Sequence, residues 1–239
     1  MSRAHSTGTP QLFSVVLPVR NQADHIEHIV RGYRDALDAV KGVAAHELLL
    51  VPNASVDATF EVCSDLAASD ERIRLVAVEQ PGWGRAVKAG LREARGDLLC
   101  FTNAARTTPQ MLVLMASYAL AYPGVVVKAS RRTRDSWRRR LGSLLYNIES
   151  RVLFDLATWD INGTPKVFPR TLTALLDLRS DDDLYDLEFV ATCRLKGYPL
   201  VDVPILATTR HGGRSTTNYA SAVRLYLGAV KLHRAWSEE

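Results

Sequence analysis

The sequence predicts an α/β protein, a mostly parallel central sheet flanked by helices in one domain. Three observations predict it. Short valine- and leucine-rich runs, the pattern of strands buried on both faces, alternate with segments of helical period. The stretch GWGRAVKAGLREARGDLLCFTNAARTTP, residues 82–109, reads in succession as loop, amphipathic helix, turn, buried strand and polar loop. No repeat, low-complexity tract or linker divides the 239 residues, a length ample for one large core.

The elements follow in order. Residues 1–12 are expected to be a disordered lead-in, and their lack of an apolar run argues against a secretory signal. Phe13–Val19 (FSVVLPV) is a strand. Ala23–Val40 is a helix, with Ile26, Ile29, Val30, Tyr33, Leu37 and Val40 at helical spacing. His46–Val51 is a second strand, Asp57–Ser69 a helix and Ile73–Val78 a third strand. Gly84–Ala94 is a helix and Asp97–Phe101 a fourth strand. Pro109 opens the next helix, where its missing N–H is harmless. Val125–Ala129 is a fifth strand. This alternation fits right-handed βαβ crossovers. Beyond Ser130 the texture changes. A basic run, RRTRDSWRRR, precedes a helix over Leu141–Leu156. Asp160–Pro169 is a turn and a short strand, and Thr171–Leu178 and Leu184–Lys196 are helices. Tyr198–Ala207 is a strand, Arg210–Thr217 a polar glycine loop, and Ala220–Trp236 a terminal amphipathic helix. The chain is read as two halves, residues 13–109 and 110–239.

Composition narrows the function classes. Apolar residues make up 47% and charged residues 23%, which excludes an intrinsically disordered chain. The formal charge of +4 suits a phosphorylated ligand or an anionic membrane surface. It does not imply nucleic acid: Trp137 is the only aromatic residue in the basic run, and no recognition motif is present. Cys63, Cys100 and Cys193 lack metal-ligand spacing and read as reduced, buried thiols of a cytoplasmic protein. The most apolar stretch, Met111–Lys128, is broken by Pro123-Gly124 and is too short on either side to span a bilayer. The expectation is a soluble or peripheral protein whose terminal helix lies near the acceptor mouth. That helix either packs on the core or lies in a membrane interface.

In an open α/β sheet, ligands bind outside the carboxyl ends of the strands. Thr102, Asn103, Ala104, Ala105 and Arg106 should therefore line a site. Several segments, in order, resemble family 2 glycosyltransferases of GT-A fold, most closely the dolichyl- and polyprenyl-phosphate mannose synthase-like branch. Pro18-Val19-Arg20-Asn21 is similar to Pro-x-x-Asn-Glu, with Gln22 for glutamate. VPNASVDAT resembles Val-Asp-Asp-Gly-Ser-x-Asp-x-Thr. Pro52 and Asn53 replace the aspartates there, while Ser55, Asp57 and Thr59 are kept. Gly82-Trp83-Gly84-Arg85-Ala86 resembles Gly-Lys-Gly-x-Ala, and KASR ending at Arg131 resembles Gly-Ser-Arg. DINGTPKVFPR looks like the acceptor-loop segment, DLEF from Asp186 like an Asp-x-Glu helix, and RHGGRST like Arg-x-x-Gly-x-Ser-Lys with Thr216 for lysine. The metal-binding Asp-x-Asp reads Asn103 and Ala105 here.

The resemblance implies an inverting transfer of sugar from a nucleotide sugar to a phosphate or hydroxyl acceptor, such as a polyprenyl phosphate, with residues 13–109 as the nucleotide-sugar half and 110–239 as the acceptor half. Alternatives are a non-catalytic nucleotide- or partner-binding protein and a metal-independent transferase of soluble small molecules. Donor-binding candidates are Pro18, Asn21, Asn53, Asp57, Arg85, Asn103 and Arg106. Asp57 reads equally as a helix cap. Asn103 offers Mg2+ or Mn2+ an uncharged oxygen and Ala105 offers nothing, so metal dependence is expected to be weak or absent. Arg85 and Arg106 are fixed charges suited to a diphosphate leaving group. Acceptor-phosphate candidates are Arg131, Arg140, Lys166, Arg210, Arg214 and Ser215; the arginines also suit anionic lipid headgroups. Asp186 and Glu188 are the catalytic candidates, with helix N-terminal charge as their plainer role.

Overall fold

Along each strand, successive side chains point to opposite faces, and here both faces are apolar. Phe13, Val15, Leu17 and Val19 enter one core while Val16 enters a second; Leu48 and Leu50 oppose Leu49 and Val51 in the same way. The sheet must therefore be covered on both sides. The computed structural model describes residues 11–131, 137–206 and 219–237, with the side chains of all of these except 11, 137–143, 219–223 and 237. The expected lead-in lies almost wholly outside the described residues, as does the glycine loop at 210–217.

The elements run β1 (Gln11–Val19), α1 (Ile26–Asp38), β2 (Val43–Pro52), α2 (Thr59–Ser69), β3 (Ile73–Leu75), α3 (Trp83–Glu93), β4 (Leu98–Phe101), α4 (Pro109–Ala121), β5 (Val126–Arg131), α5 (Trp137–Phe154), β6 (Lys166–Pro169), α6 (Tyr185–Leu195), β7 (Leu200–Ile205) and α7 (Tyr219–Ser237). The strands form one sheet of order β3-β2-β1-β4-β6-β5-β7. β6 pairs antiparallel with both β4 and β5, and the other pairings are parallel. Helices α1, α2 and α4 close the first core; α3, α5, α6 and α7 close the second. Consecutive connections leave β1 in opposite directions, to β2 on one side and eventually β4 on the other. The β1/β4 boundary is thus the switch point, where an open sheet leaves a crevice at its carboxyl edge.

Several boundaries have visible causes. Thr108 caps α4 by accepting the Met111 N–H at 3.2 Å, with Pro109 in the first turn. Asp155, at φ 49°, takes the left-handed conformation that ends α5. α5 begins inside the basic run rather than at Leu141. The segment expected as a helix over Thr171–Leu178 is only a 3-10 turn, Thr173–Leu175. Beyond Leu178, the N–H groups of Arg179 and Ser180 donate to the Glu188 carboxylate. α7 packs on the second core, with Ala229 fully buried and Leu225, Tyr226, Leu232 and Trp236 against it. Cys63, Cys100 and Cys193 are free and buried.

The turn from α2 into β3 is fixed by charge. Asp70 accepts from Arg72 N and Nε at 3.0 Å each and from Nη2 at 2.8 Å, and Arg72 Nη1 reaches Asp38 at 3.1 Å. These bonds to Arg72 hold the Asp70 carboxyl down at about 2. A carboxylate depressed on folding stabilises the fold above its ordinary value and loses that contribution as pH falls through the depressed one. Thermal melts taken as pH drops from 3.8 toward 2 should therefore lose stability more steeply in the parent chain than in Asp70→Asn. Equal slopes would show that the fork contributes nothing.

Candidate functional site

At the carboxyl edge, the loops after β1 and β2 hold each other. Asn21 N donates to Ser55 Oγ at 3.1 Å, and Val56 N donates to Asn21 Oδ1 at 2.9 Å. Gln22 N donates to Thr59 Oγ1 at 2.8 Å and Ala23 N to Asp57 Oδ2 at 3.3 Å. Asp57 Oδ1 also accepts from Thr59 N at 3.1 Å. Burial alone would raise Asp57, but the donors on Thr59 and Ala23 outweigh it and hold the carboxyl below the usual range. Ser55 and Asp57 thus serve the loop-to-loop lock; the residue at the N-cap of α2 is Ala58, which makes no side-chain cap bond. Two non-glycine residues in this lock take left-handed conformations, Asn21 at φ 51° and Ala54 at φ 48°.

Asn53 stands inside the lock at the end of β2. It is 6% exposed, its Nδ2 donates to Gly82 O at 3.0 Å, and its Oδ1 is buried without a partner. Pro18 is buried one strand away, in register with Val51.

The first turn of α3 abuts the segment before α6. A Cβ on Gly82 would lie 2.4 Å from Asp181 O, and one on Gly84 would lie 2.4 Å from Ser180 O. That approach lets Gly84 N and Arg85 N donate to the carbonyls of Asp182 and Asp181 at 3.2 and 2.9 Å. Side chains reinforce it: Arg85 Nη2 and Lys88 Nζ meet the Asp181 carboxylate at 2.9 and 2.6 Å. Lys88 first, then Arg85, holds that carboxyl low. Glu188, 3% exposed, accepts from Arg179 N at 2.8 Å and Ser180 N at 2.7 Å. Trp83, where the resemblance has lysine, sets its ring edge-on to Phe101 at 6.4 Å, with Nε1 buried and unpartnered.

After β4 the chain forms an Asx turn. Asn103 Oδ1 accepts from Ala105 N at 3.0 Å, while its carbonyl accepts from Arg106 N and Thr107 N. Ala104 and Ala105 are fully buried, and Arg106 is half-buried and engaged. The two expected metal positions therefore hold one amide oxygen already used by the backbone and one methyl group. Among the described residues no group of three or more His, Cys, Asp or Glu is placed to hold an ion. This donor set does not fit a divalent metal, which requires hard, preferably anionic oxygens.

In the second half, Lys166, Arg131 and Lys128 are matched by carboxylates of the fold. Lys166 Nζ, fully buried, pairs with Asp186, and the rings of Phe101 and Phe189 lie 5.3 and 5.9 Å from it. Burial pushes Lys166 down, and Asp186 opposes that shift. Arg131 forks onto Asp160 at 2.7 and 2.6 Å. Lys128, also fully buried, pairs with Asp202 at 2.7 Å and with the carbonyl of Trp159 at 2.8 Å. The side chain of Arg140 and all of Arg210, Arg214 and Ser215 lie outside the described residues. Asn53, Asn103 and Arg85 thus lie at the carboxyl edge, and Lys166, in register with Phe101 at the end of β4, is sealed there against Asp186. Sequence reasoning missed Asp181, Asp160 and Lys128. A lysine inside the apolar run VVVKAS was a signal for the last; nothing local marks the other two.

The model of the family described as "Glycosyl transferase family 2" matches residues 14–174, and the chain belongs to that family. It is 30% identical over 143 residues to an undecaprenyl-phosphate 4-deoxy-4-formamido-L-arabinose transferase of Edwardsiella ictaluri, covering 58% of this chain and 43% of that one. It is 36% identical over 89 residues to glycosyltransferase AglD of Haloferax volcanii, covering 37% of this chain and 14% of that one. The chain spans less than half the length of these relatives. Among solved structures it resembles glucosyl-3-phosphoglycerate synthase from Mycobacterium tuberculosis in complex with Mn2+, UDP and phosphoglyceric acid. The TM-score is 0.70 at 19% identity, over 93% of this chain and 78% of that one. The fold is GT-A.

Two substitutions test the geometry. The resemblance places glycine where Ala54 holds φ 48°. A left-handed alanine costs about 1–2 kcal/mol, and a new glycine returns about half of that through unfolded-chain entropy. Ala54→Gly should therefore raise unfolding free energy by about 0.5–1 kcal/mol in urea, at unchanged m. Gly84→Ala, with a backbone carbonyl 2.4 Å from the new methyl, should instead lower it by about 1–3 kcal/mol. An unchanged midpoint in either variant contradicts the corresponding contact.

Proposed function

We propose that this family 2 member transfers a sugar from a nucleotide-sugar donor to a phosphate-bearing acceptor, with inversion at the anomeric carbon. The observation that carries this reading is the buried, unpartnered Oδ1 of Asn53 at the carboxyl edge of β2. An unsatisfied buried acceptor costs about 1–3 kcal/mol. A nucleotide supplies the missing donor from a base N–H or a ribose hydroxyl. Pro18 and the lock through Asn21 and Asp57 shape the wall behind it. Arg85 then turns from Asp181, a half-exposed partner that holds it only weakly, to the diphosphate. Arg106 and Asn103 flank the same group.

The acceptor class follows from the two carboxylates. Asp186 is neutralised by Lys166, and both oxygens of Glu188 are taken by backbone N–H groups. These contacts stabilise both carboxylates in their ionised form and make them poorer bases toward an alcohol. A phosphate monoester, with its second pKa near about 6, is already ionised and needs no base. Its oxygen attacks the anomeric carbon from the face opposite the diphosphate; the carbon–oxygen bond to the diphosphate breaks, and the departing charge falls on Arg85 and Arg106. In this reading Asp186 and Glu188 position the acceptor half and do not act as base. Of the acceptor-phosphate residues that the resemblance implies, Lys166 and Arg131 are already paired with Asp186 and Asp160, so the acceptor phosphate falls to Arg140, Arg210, Arg214 and Ser215. The relatives support it in kind: one is named for undecaprenyl phosphate, and one structural neighbour holds phosphoglyceric acid. The three free cysteines fit a reducing compartment such as the cytoplasm.

A second reading, a nucleotide-binding domain without transfer chemistry, is favoured by Ala105 and by the internally neutralised Asp186. Titration of a nucleotide-sugar panel in Mn2+ or in chelator, followed by a transfer assay with polyprenyl phosphate and phosphoglycerate, separates the two. Affinity should be the same within about twofold in either buffer, and Asn53→Leu should weaken it about tenfold. Turnover should persist in chelator. Activity abolished by chelator and restored by Mn2+ would refute the metal-independent mechanism. Binding without turnover on either acceptor would establish the second reading.

A further inference from the structure

Helix α5 is apolar on two faces. Its inner face buries Tyr146 and packs Leu153 and Phe154 on the second core. Its outer face exposes Leu144 at 45%, Leu145 at 50%, Ile148 at 43% and Val152 at 77%. Their spacing of i, i+1, i+4 and i+8 puts them on one stripe of a 3.6-residue helix. A contiguous exposed apolar stripe marks an interaction surface, unlike apolar residues scattered singly. At its margin, Trp159 is 47% exposed under the guanidinium of Arg151, which lies 4.1 Å from the ring centroid. Tryptophan paired with arginine suits the headgroup level of a bilayer, where one side is apolar and the other wet.

Charge selects the partner. The sequence leading into and opening α5 is RRTRDSWRRR. On α7, which packs against α5 through Tyr226 and Tyr146 at 6.1 Å, Arg224, Lys231 and Arg234 are exposed beside Leu227 at 58%. An anionic bilayer satisfies both halves of the surface: acyl chains accept the leucine, isoleucine and valine stripe, and headgroups meet the basic residues.

We propose that the outer face of α5, flanked by the basic residues of α7, is a docking surface for an anionic lipid bilayer. It lies outside the nucleotide site and deepens the transferase reading by stating how a lipid-borne acceptor is approached. Docking needs no turnover, so its outcome is separate from that of the transfer assay.

The test is flotation of the full chain with vesicles of phosphatidylcholine alone or mixed with phosphatidylglycerol. Binding is expected only to the mixed vesicles, falling as salt rises. Val152→Glu, at the most exposed position of the stripe, and Ile148→Glu should each lower partitioning about tenfold or more. Parent-like thermal melts would show both variants folded, and Val152→Glu alone suffices if Ile148→Glu is not. Tryptophan emission should shift to the blue on binding in the parent and not in Val152→Glu. No binding to mixed vesicles, equal binding to neutral ones, or binding unchanged in a folded variant overturns the proposal. So does a parent dimer in sedimentation that Val152→Glu splits, which would assign the face to a second copy of the chain.

Discussion

The buried carboxylate of Glu188 shapes the meeting of the two halves of this protein. Its two oxygens take the N–H groups of Arg179 and Ser180. That segment presents the carbonyls of Ser180, Asp181 and Asp182 to the start of α3. Only there do Gly82 and Gly84 leave room for a backbone-to-backbone approach. The unpaired N–H groups of a helix's first turn ordinarily face solvent or a ligand. In α3 two of them are satisfied by another loop, and the helix start is thereby fixed beside Asn53. A site that must read a nucleotide gains from this preorganisation, because its walls need no ordering when the ligand arrives.

The ion pairs of β5 and β6 obey a related constraint. The antiparallel register sets Lys128 directly across from Lys166, and both side chains are fully buried. Two like charges so placed each require a carboxylate. Asp202 comes from β7 and Asp186 from α6 to meet them. Removing one partner of such a pair costs about 3–5 kcal/mol because a charge stays buried without compensation. This demand for neutrality accounts for an acidic residue at Asp186 without assigning it a proton-transfer role. The positions of Arg131 and Asp160 follow the same logic, with the fork closed inside the fold.

How much of this was legible in the sequence depends on how local the cause is. Valine-rich runs revealed the strands, and Thr108-Pro109 marked the start of α4. The resemblance singled out Asn53, Asn103 and Arg85, which the fold sets at the carboxyl edge of the sheet. What it did not reveal was the partner of each. Arg85 and Asp181 are 96 residues apart, and no periodicity connects them. Nor does composition tell a phosphate-binding lysine from one sealed against Asp186, since the distinction lies in the packing of Phe101 and Phe189 around it. The Thr171–Leu178 segment has helical spacing, yet only Thr173–Leu175 closes into a 3-10 turn.

The reversed strand β6 also bears on how the chain is made. β4 and β5 do not touch; each reaches the other only through β6. As the polypeptide leaves the ribosome, β1, β2 and β3 are available to pair first, and β4 then returns to the other side of β1. β4 then keeps an open edge until Lys166–Pro169 emerges and inserts, since Phe101 pairs with Lys166 and Leu98 with Pro169. Such a distant pairing is slow, and an open strand edge invites association with other chains. β4 is only Leu98–Phe101, which limits that edge to four residues. The brevity of the strand is thus a safeguard during synthesis as well as a dimension of the finished sheet.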